Sequence, residues 1–168
     1  MPIISTDIVY RLSGGASNTD VNASLGGAKS STSVGTGLHN LFDVVGSAEA
    51  ATGDTEYRCV YVHNNHGTLT MQSAKIWISS NTPSTDTSVE IALGSSAVNG
   101  TETSVANENT APSGPTFSAP ASEGAALSIG DIPAGQHKAV WIKRVINTGA
   151  AAYNSDGCTL TTKCDTAA

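Results

Sequence analysis

Residues 138–146 read KAVWIKRVI and residues 55–63 read TEYRCVYVH. Both are rich in Val, Ile, Tyr and Trp, and both are short, which marks strands. A strand sends successive side chains to opposite faces. Val140 and Ile142 therefore face one way, and Trp141 and Lys143 the other. A third segment, Thr68 to Ser79 (TLTMQSAKIWIS), repeats the pattern, with Ile76 and Ile78 opposed to Lys75 and Trp77. Each aliphatic face is a core face. Each opposite face places a tryptophan beside a cation, where it either caps the core or meets another protein.

Outward from these strands, Ser5–Leu12 (STDIVYRL), Leu41–Val45, Ser88–Leu93 (SVEIAL), Leu127–Ile129 and Cys158–Cys164 also read as strands, with Thr116–Ser118 as a short edge strand. Segment 68–79 is expected to bend or bulge near Gln72-Ser73. Asn64-Asn65-His66-Gly67 tolerates positive φ and reads as a hairpin-type turn. Asp131 to Gly135 reads as a turn in which Pro133 presets φ. Gly46 to Asp54, residues 94–125 and Asn147 to Gly157 read as loops. Seven to nine short strands without a convincing helix predict an all-β fold, an antiparallel β-sandwich of immunoglobulin-like or jelly-roll-like type.

The first 37 residues differ in character. Ser13 to Gly37 is mostly Gly, Ser, Ala and Asn, with only Val21, Leu25 and Val34 as larger apolar residues. It cannot build a core of its own. The expected organisation is an N-terminal strand with an extended Gly/Ser-rich arm over 1–37, and a sandwich domain over 38–168. The arm is expected to be flexible or laid along a partner. On that reading the candidate protein-contact residues are Tyr10, Leu12, Val21, Leu25 and Val34, together with Trp77 and Trp141. Deleting 1–37 would leave a folded domain.

Composition narrows the function. Ala, Ser, Thr and Gly make up 80 of the 168 residues, and only 13% are charged, for a formal charge of −6. Eight scattered Lys and Arg argue against a nucleic-acid surface. No apolar run of about 18 residues is present to span a membrane. The start MPIISTDIVYRL lacks the form of a secretory signal. The Asn22-Ala23-Ser24 and Asn99-Gly100-Thr101 sequons then read only as polar loops. Cys59, Cys158 and Cys164 are an odd, sparse set. Along one extended strand Cys158 and Cys164 lie roughly 20 Å apart, beyond the ~7 Å reach of a disulfide. Free thiols suit assembly in a reducing cytoplasm.

Motifs for nucleophilic, phosphate-binding or metal chemistry are missing from the sequence. Gly14-Gly15 and Gly26-Gly27 read as flexible points. His39, His63, His66 and His137 read as solvated or loop-packing. Asp54, Asp86, Glu102, Glu108 and Glu123 read as solvated loop acids. The expectation is a protein without catalytic residues, cofactor or metal.

Three blocks carry a resemblance: DIVYRLSGGASNTDVNASLGGAKSS (7–31), EYRCVYVHNNHGTLTMQSAKIWISSNTPS (56–84) and LSIGDIPAGQHKAVWIKRVINTGAAAYN (127–154). Together they span about half the chain and resemble small virion structural proteins of tailed bacteriophages. The resemblance implies a capsid decoration (cement) protein assembled in the host cytoplasm. Its implied partners are the major capsid protein and further copies of itself, as a homo-oligomer on the virion. The alternative is a tail, neck or fibre module that binds host-surface glycans, for which Tyr153 and Phe117 are the loop aromatics available for stacking.

Overall fold

The computed structural model describes residues 2–166; Met1, Ala167 and Ala168, the outermost residues of the two expected spans, lie outside them. The chain is an all-β sandwich of two antiparallel sheets. The strands are β1 (Ile8–Leu12), β2 (Asp54–Asn64), β3 (Met71–Ser80), β4 (Thr87–Leu93), β5 (Leu127–Ile132), β6 (His137–Ile146) and β7 (Thr159–Thr166). One sheet has the order β1-β2-β6-β4 and the other β5-β3-β7.

Between the sheets lie the aliphatic faces that period-2 alternation picks out. Val60, Val62, Met71, Ile76, Ile78, Ile91, Ile132, Val140 and Ile142 form this core. Burial of each such side chain stabilises by about 1.5–3 kcal/mol. The bend in β3 is present: its pairings with β5 and β7 both shift register between Met71 and Lys75, and Ser73 adopts φ 49. The displaced Ser73 N–H is taken up by Asp131 Oδ1 at 2.9 Å.

Four local expectations are corrected. Residues 64–67 do not close a hairpin, because β2 and β3 belong to different sheets. The Asn64 side chain steers this crossing: its Nδ2 donates to the carbonyls of Leu69 and Ile132, both at 2.8 Å, and its Oδ1 accepts from His66 N–H. Leu41–Val45 forms no strand. Leu41 and Phe42 pack on the core, and the Asp43 carbonyl accepts from Arg144 Nη1 instead of from a neighbouring strand. The loop 46–54 contains a short helix, α1 (Ser47–Thr52), whose Glu49 reaches back to the Gly46 N–H. Residues 116–118 contribute only an isolated bridge, Ser118 to Ile91.

The N-terminal 37 residues are integrated into the sandwich rather than set apart from it. β1 pairs with β2 from Ile8–Asn64 to Leu12–Val60. The segment after it folds back along β1, with Leu12 N–H donating to Thr32 O, Ser30 N–H to Leu12 O and Val34 N–H to Tyr10 O. Where β1 stops, Ser24 and Glu108 carbonyls accept from Cys59 and Tyr57 N–H and cap the bare edge of β2. A chain lacking residues 1–37 is therefore expected to lose its cooperative thermal transition and near-ultraviolet circular dichroism. A sharp transition in that variant would show that the covering is dispensable.

Candidate functional site

Trp141 is one of the expected contact residues. It is completely buried, on the face of β6 turned away from the inter-sheet core. There it forms a second cluster with Cys59, Tyr61, Ala92 and Ala139, flanked by Tyr57, Val105 and Phe117. The cover consists of residues 24–27 and 102–118. Gly27 N–H donates to Glu102 O, and Val105 N–H to Leu25 O, both at 2.9 Å.

The cover is pinned by a buried acid. Glu102, expected in solvent, is 3% exposed. Its carboxylate accepts from Ser95 N–H (3.1 Å), Ser96 N–H (2.9 Å) and the Trp141 indole (3.3 Å). Its backbone N–H donates to Tyr61 Oη, whose own proton goes to Gly27 O at 2.6 Å. Burial pushes the Glu102 carboxyl up, but its N–H donors more than offset this and hold it below its ordinary value. The approach is close enough to require glycine. A Cβ on Gly26 (φ +93) would stand 2.3 Å from Thr103 O, and one on Gly94 2.5 Å from Glu102 Oε2. Gly26 is thus a packing requirement, not a flexible point.

Of the seven candidate contact residues, the structure takes two out of reach. Leu12 and Trp141 are completely buried and offer a partner no surface. Tyr10 and Val34 pack against the main core, with Tyr10 Oη 2.6 Å from Thr162 Oγ1 on β7. Val21 is half-buried, and Leu25 lines a shallow polar depression with Asn22, Asp43 and Glu108. Trp77 is half-buried on β3, opposite Thr161. These seven do not form one surface. Among the described residues the large apolar side chains that are exposed are Ile4, Leu38, Val44 and Tyr153. Leu38 and Val44 precede α1. The loop carrying Tyr153 is tied to α1, because Gly149 and Ala150 N–H both donate to Ala50 O and Thr148 Oγ1 donates to Thr52 O. Val44 and the loop carrying Tyr153 therefore flank α1, at the end where β2 begins, whereas Leu38 lies on a turn closed by Asn40 Nδ2 donating to Gly35 O.

Beneath that end the inter-sheet space closes with charge. Glu56 and Arg58 are completely buried on the same side of β2 as Val60. Arg144, opposite Glu56 on β6, pairs with it and with Asp43 at 3.5 Å. Arg58 pairs with Glu108. Phe42 lies against both guanidinium groups, 5.4 Å from Arg58 and 4.8 Å from Arg144. Burial pushes the Glu56 carboxyl up, against the pull of Arg144.

All three cysteines are free, and Cys59 is buried in the second cluster. Burial pushes its thiol well above the ordinary range, so it is inert. His63 is 9% exposed, with Nδ1 3.1 Å from Gln136 O, rather than solvated. Burial, then the charges of Lys29 and Arg11, lower its pKa to about 4, with His137 beside it at 6.5 Å between ring centroids. Phe117 is held edge-on by Tyr57 at 5.4 Å, so Tyr153 is the aromatic left free for stacking.

No protein-family model, curated protein or solved structure matches the chain.

Two outcomes follow. Glu102→Ala leaves two backbone N–H groups and the indole without an acceptor. It should lower unfolding free energy by on the order of 3 kcal/mol in urea titrations; a loss under about 1 kcal/mol would contradict the role. His63 is neutral in the folded chain down to about pH 4, whereas the unfolded imidazole protonates near its ordinary 6.5. Its contribution is complete above pH 6.5 and lost as pH falls toward 4. The urea midpoint should drop between neutral pH and pH 5, and His63→Gln should flatten that drop.

Proposed function

We propose that this chain is a structural component of a tailed-bacteriophage virion, a decoration protein that binds the major capsid protein and further copies of itself on the head shell. It acts by adhesion and carries out no bond-making chemistry. The observation that supports this most is the end of the sandwich at α1. Val44 (68% exposed) and Tyr153 (54%) stand there on two joined loops, and Leu38 (69%) stands on the turn that precedes Val44. Exposed apolar groups gathered in this way are suited to a protein contact. The body behind them is rigid, since the N-terminal segment and the 94–118 loop are already spent on the second cluster. A rigid body presenting one adhesive end gains avidity when copies are repeated on a symmetric shell. The resemblance in blocks 7–31, 56–84 and 127–154 supports the same role.

The test combines location and contact. Labelled antibody against the chain should decorate phage heads, and the purified chain should bind shells that lack it. The double variant Leu38→Asp, Val44→Asp should bind those shells at least tenfold more weakly with its melting temperature unchanged, since each residue loses a burial worth about 1.5–3 kcal/mol. Equal binding, or label confined to the tail together with retention on a glycan array, would overturn the proposal.

A further inference from the structure

Three carboxylates meet where α1 joins β2. Asp54 and Glu56 are one residue apart on β2 and so share a face. Glu49 enters from α1. One oxygen of each lies within 4.8 Å of those of the other two. Each group is oriented through one oxygen. Glu49 Oε2 accepts from Gly46 N–H. Asp54 Oδ1 accepts from Thr55 N–H at 2.7 Å and Asn109 Nδ2 at 2.8 Å. Glu56 Oε2 accepts from Arg144 Nε.

Among the described residues the second oxygens have no donor. Glu56 is completely buried, yet its Oε1 has no hydrogen-bond partner. Among the described residues neither Glu49 nor Asp54 joins an ion pair, whereas Asp43 and Glu108, the other acids near Glu56, are paired with Arg144 and Arg58. Negative charge is therefore balanced on the Asp43–Glu108 side and unbalanced on the Glu49–Asp54 side. A buried carboxylate oxygen without a donor is costly unless something positive faces it.

We propose that Glu49, Asp54 and Glu56 bind a divalent cation, Ca²⁺, through one oxygen of each. The donor set is carboxylate oxygen throughout, with no imidazole or thiolate to favour a softer metal. Glu49 and Asp54 are only half-buried, so water can complete a six- to eight-oxygen shell. Three side chains on a helix–strand junction form a loose set, which suits Ca²⁺ better than the strict octahedron of Mg²⁺. Bound there, the ion clamps α1 to the first residues of β2 and so fixes the start of the helix that Val44 precedes. The site itself is independent of what that segment touches.

The experiment uses the full chain, stripped with EDTA and exchanged into buffer of constant ionic strength. Calorimetric titration with CaCl₂ should give one site per chain. Millimolar CaCl₂ should raise the melting temperature and MgCl₂ should raise it less. Glu49→Gln and Asp54→Asn, both at partly exposed positions, should stay folded and bind calcium at least tenfold more weakly. Glu56→Gln should abolish the response. The proposal is overturned if calcium leaves the melting temperature unchanged, as a protonated Glu56 requires. It is equally overturned if Glu49→Gln and Asp54→Asn keep the full response, and an equal response to magnesium overturns the calcium assignment.

Discussion

A buried carboxylate can be kept charged only if donors surround it, and around Glu102 those donors come from two separate places. Glu102 takes hydrogen bonds from Ser95 and Ser96 in its own loop and from Trp141 on β6. Through its backbone it engages Tyr61 on β2 and Gly27 in the N-terminal segment. One residue thus fastens two long irregular stretches onto the outer face of the four-stranded sheet. Each stretch is too poor in apolar residues to fold alone. Against the sheet they bury Cys59, Tyr61 and Trp141, and the sheet gains a second core. The requirement for glycine at positions 26 and 94 follows from how closely this layer approaches.

That arrangement explains what could and could not be read from the sequence. β2 and β6 were legible because each alternates over nine or more residues and the core between the sheets selects one parity. The opposite parity was ambiguous. A tryptophan beside lysine looks the same whether it meets a partner or the chain's own loops, and only the fold shows the cover. Glu102 reads as solvated, and His63 as solvated or loop-packing, because burial of a polar group depends on partners that only the fold brings to it, as Trp141 to Glu102 and the Gln136 carbonyl to His63. α1 was missed since six residues carry too little periodicity to register. The turn at Asn64 was read as a hairpin because local chemistry reports a change of direction, not which sheet the chain enters next. The carboxylates of the α1–β2 junction are illegible for the same reason: Glu49, Asp54 and Glu56 carry no motif, and only the fold brings one oxygen of each within 4.8 Å of the others.

Covering the outer face also settles the sheet edges. The segment after β1 shields its edge, Ser24 and Glu108 shield the start of β2, and Ser118 bridges β4. β7 carries Lys163 and Asp165 at exposed positions, and charge on an edge strand discourages unspecific pairing. The end at α1 differs: there Val44 and Tyr153 are exposed, beside the charged cluster of Glu56, Arg58 and Arg144. Fold and cover together describe a sandwich whose irregular segments serve its own stability.

Amide hydrogen exchange on the native chain tests the central claim, that the N-terminal segment and the 94–118 loop are a packed layer of the fold. The N–H groups of Gly27, Cys59 and Val105, bonded across that layer, should exchange only on global unfolding, as slowly as the amides of β6. Exchange of Gly27 and Val105 at the rate of an open loop, with β6 still protected, would show that the layer is loose and would contradict the account.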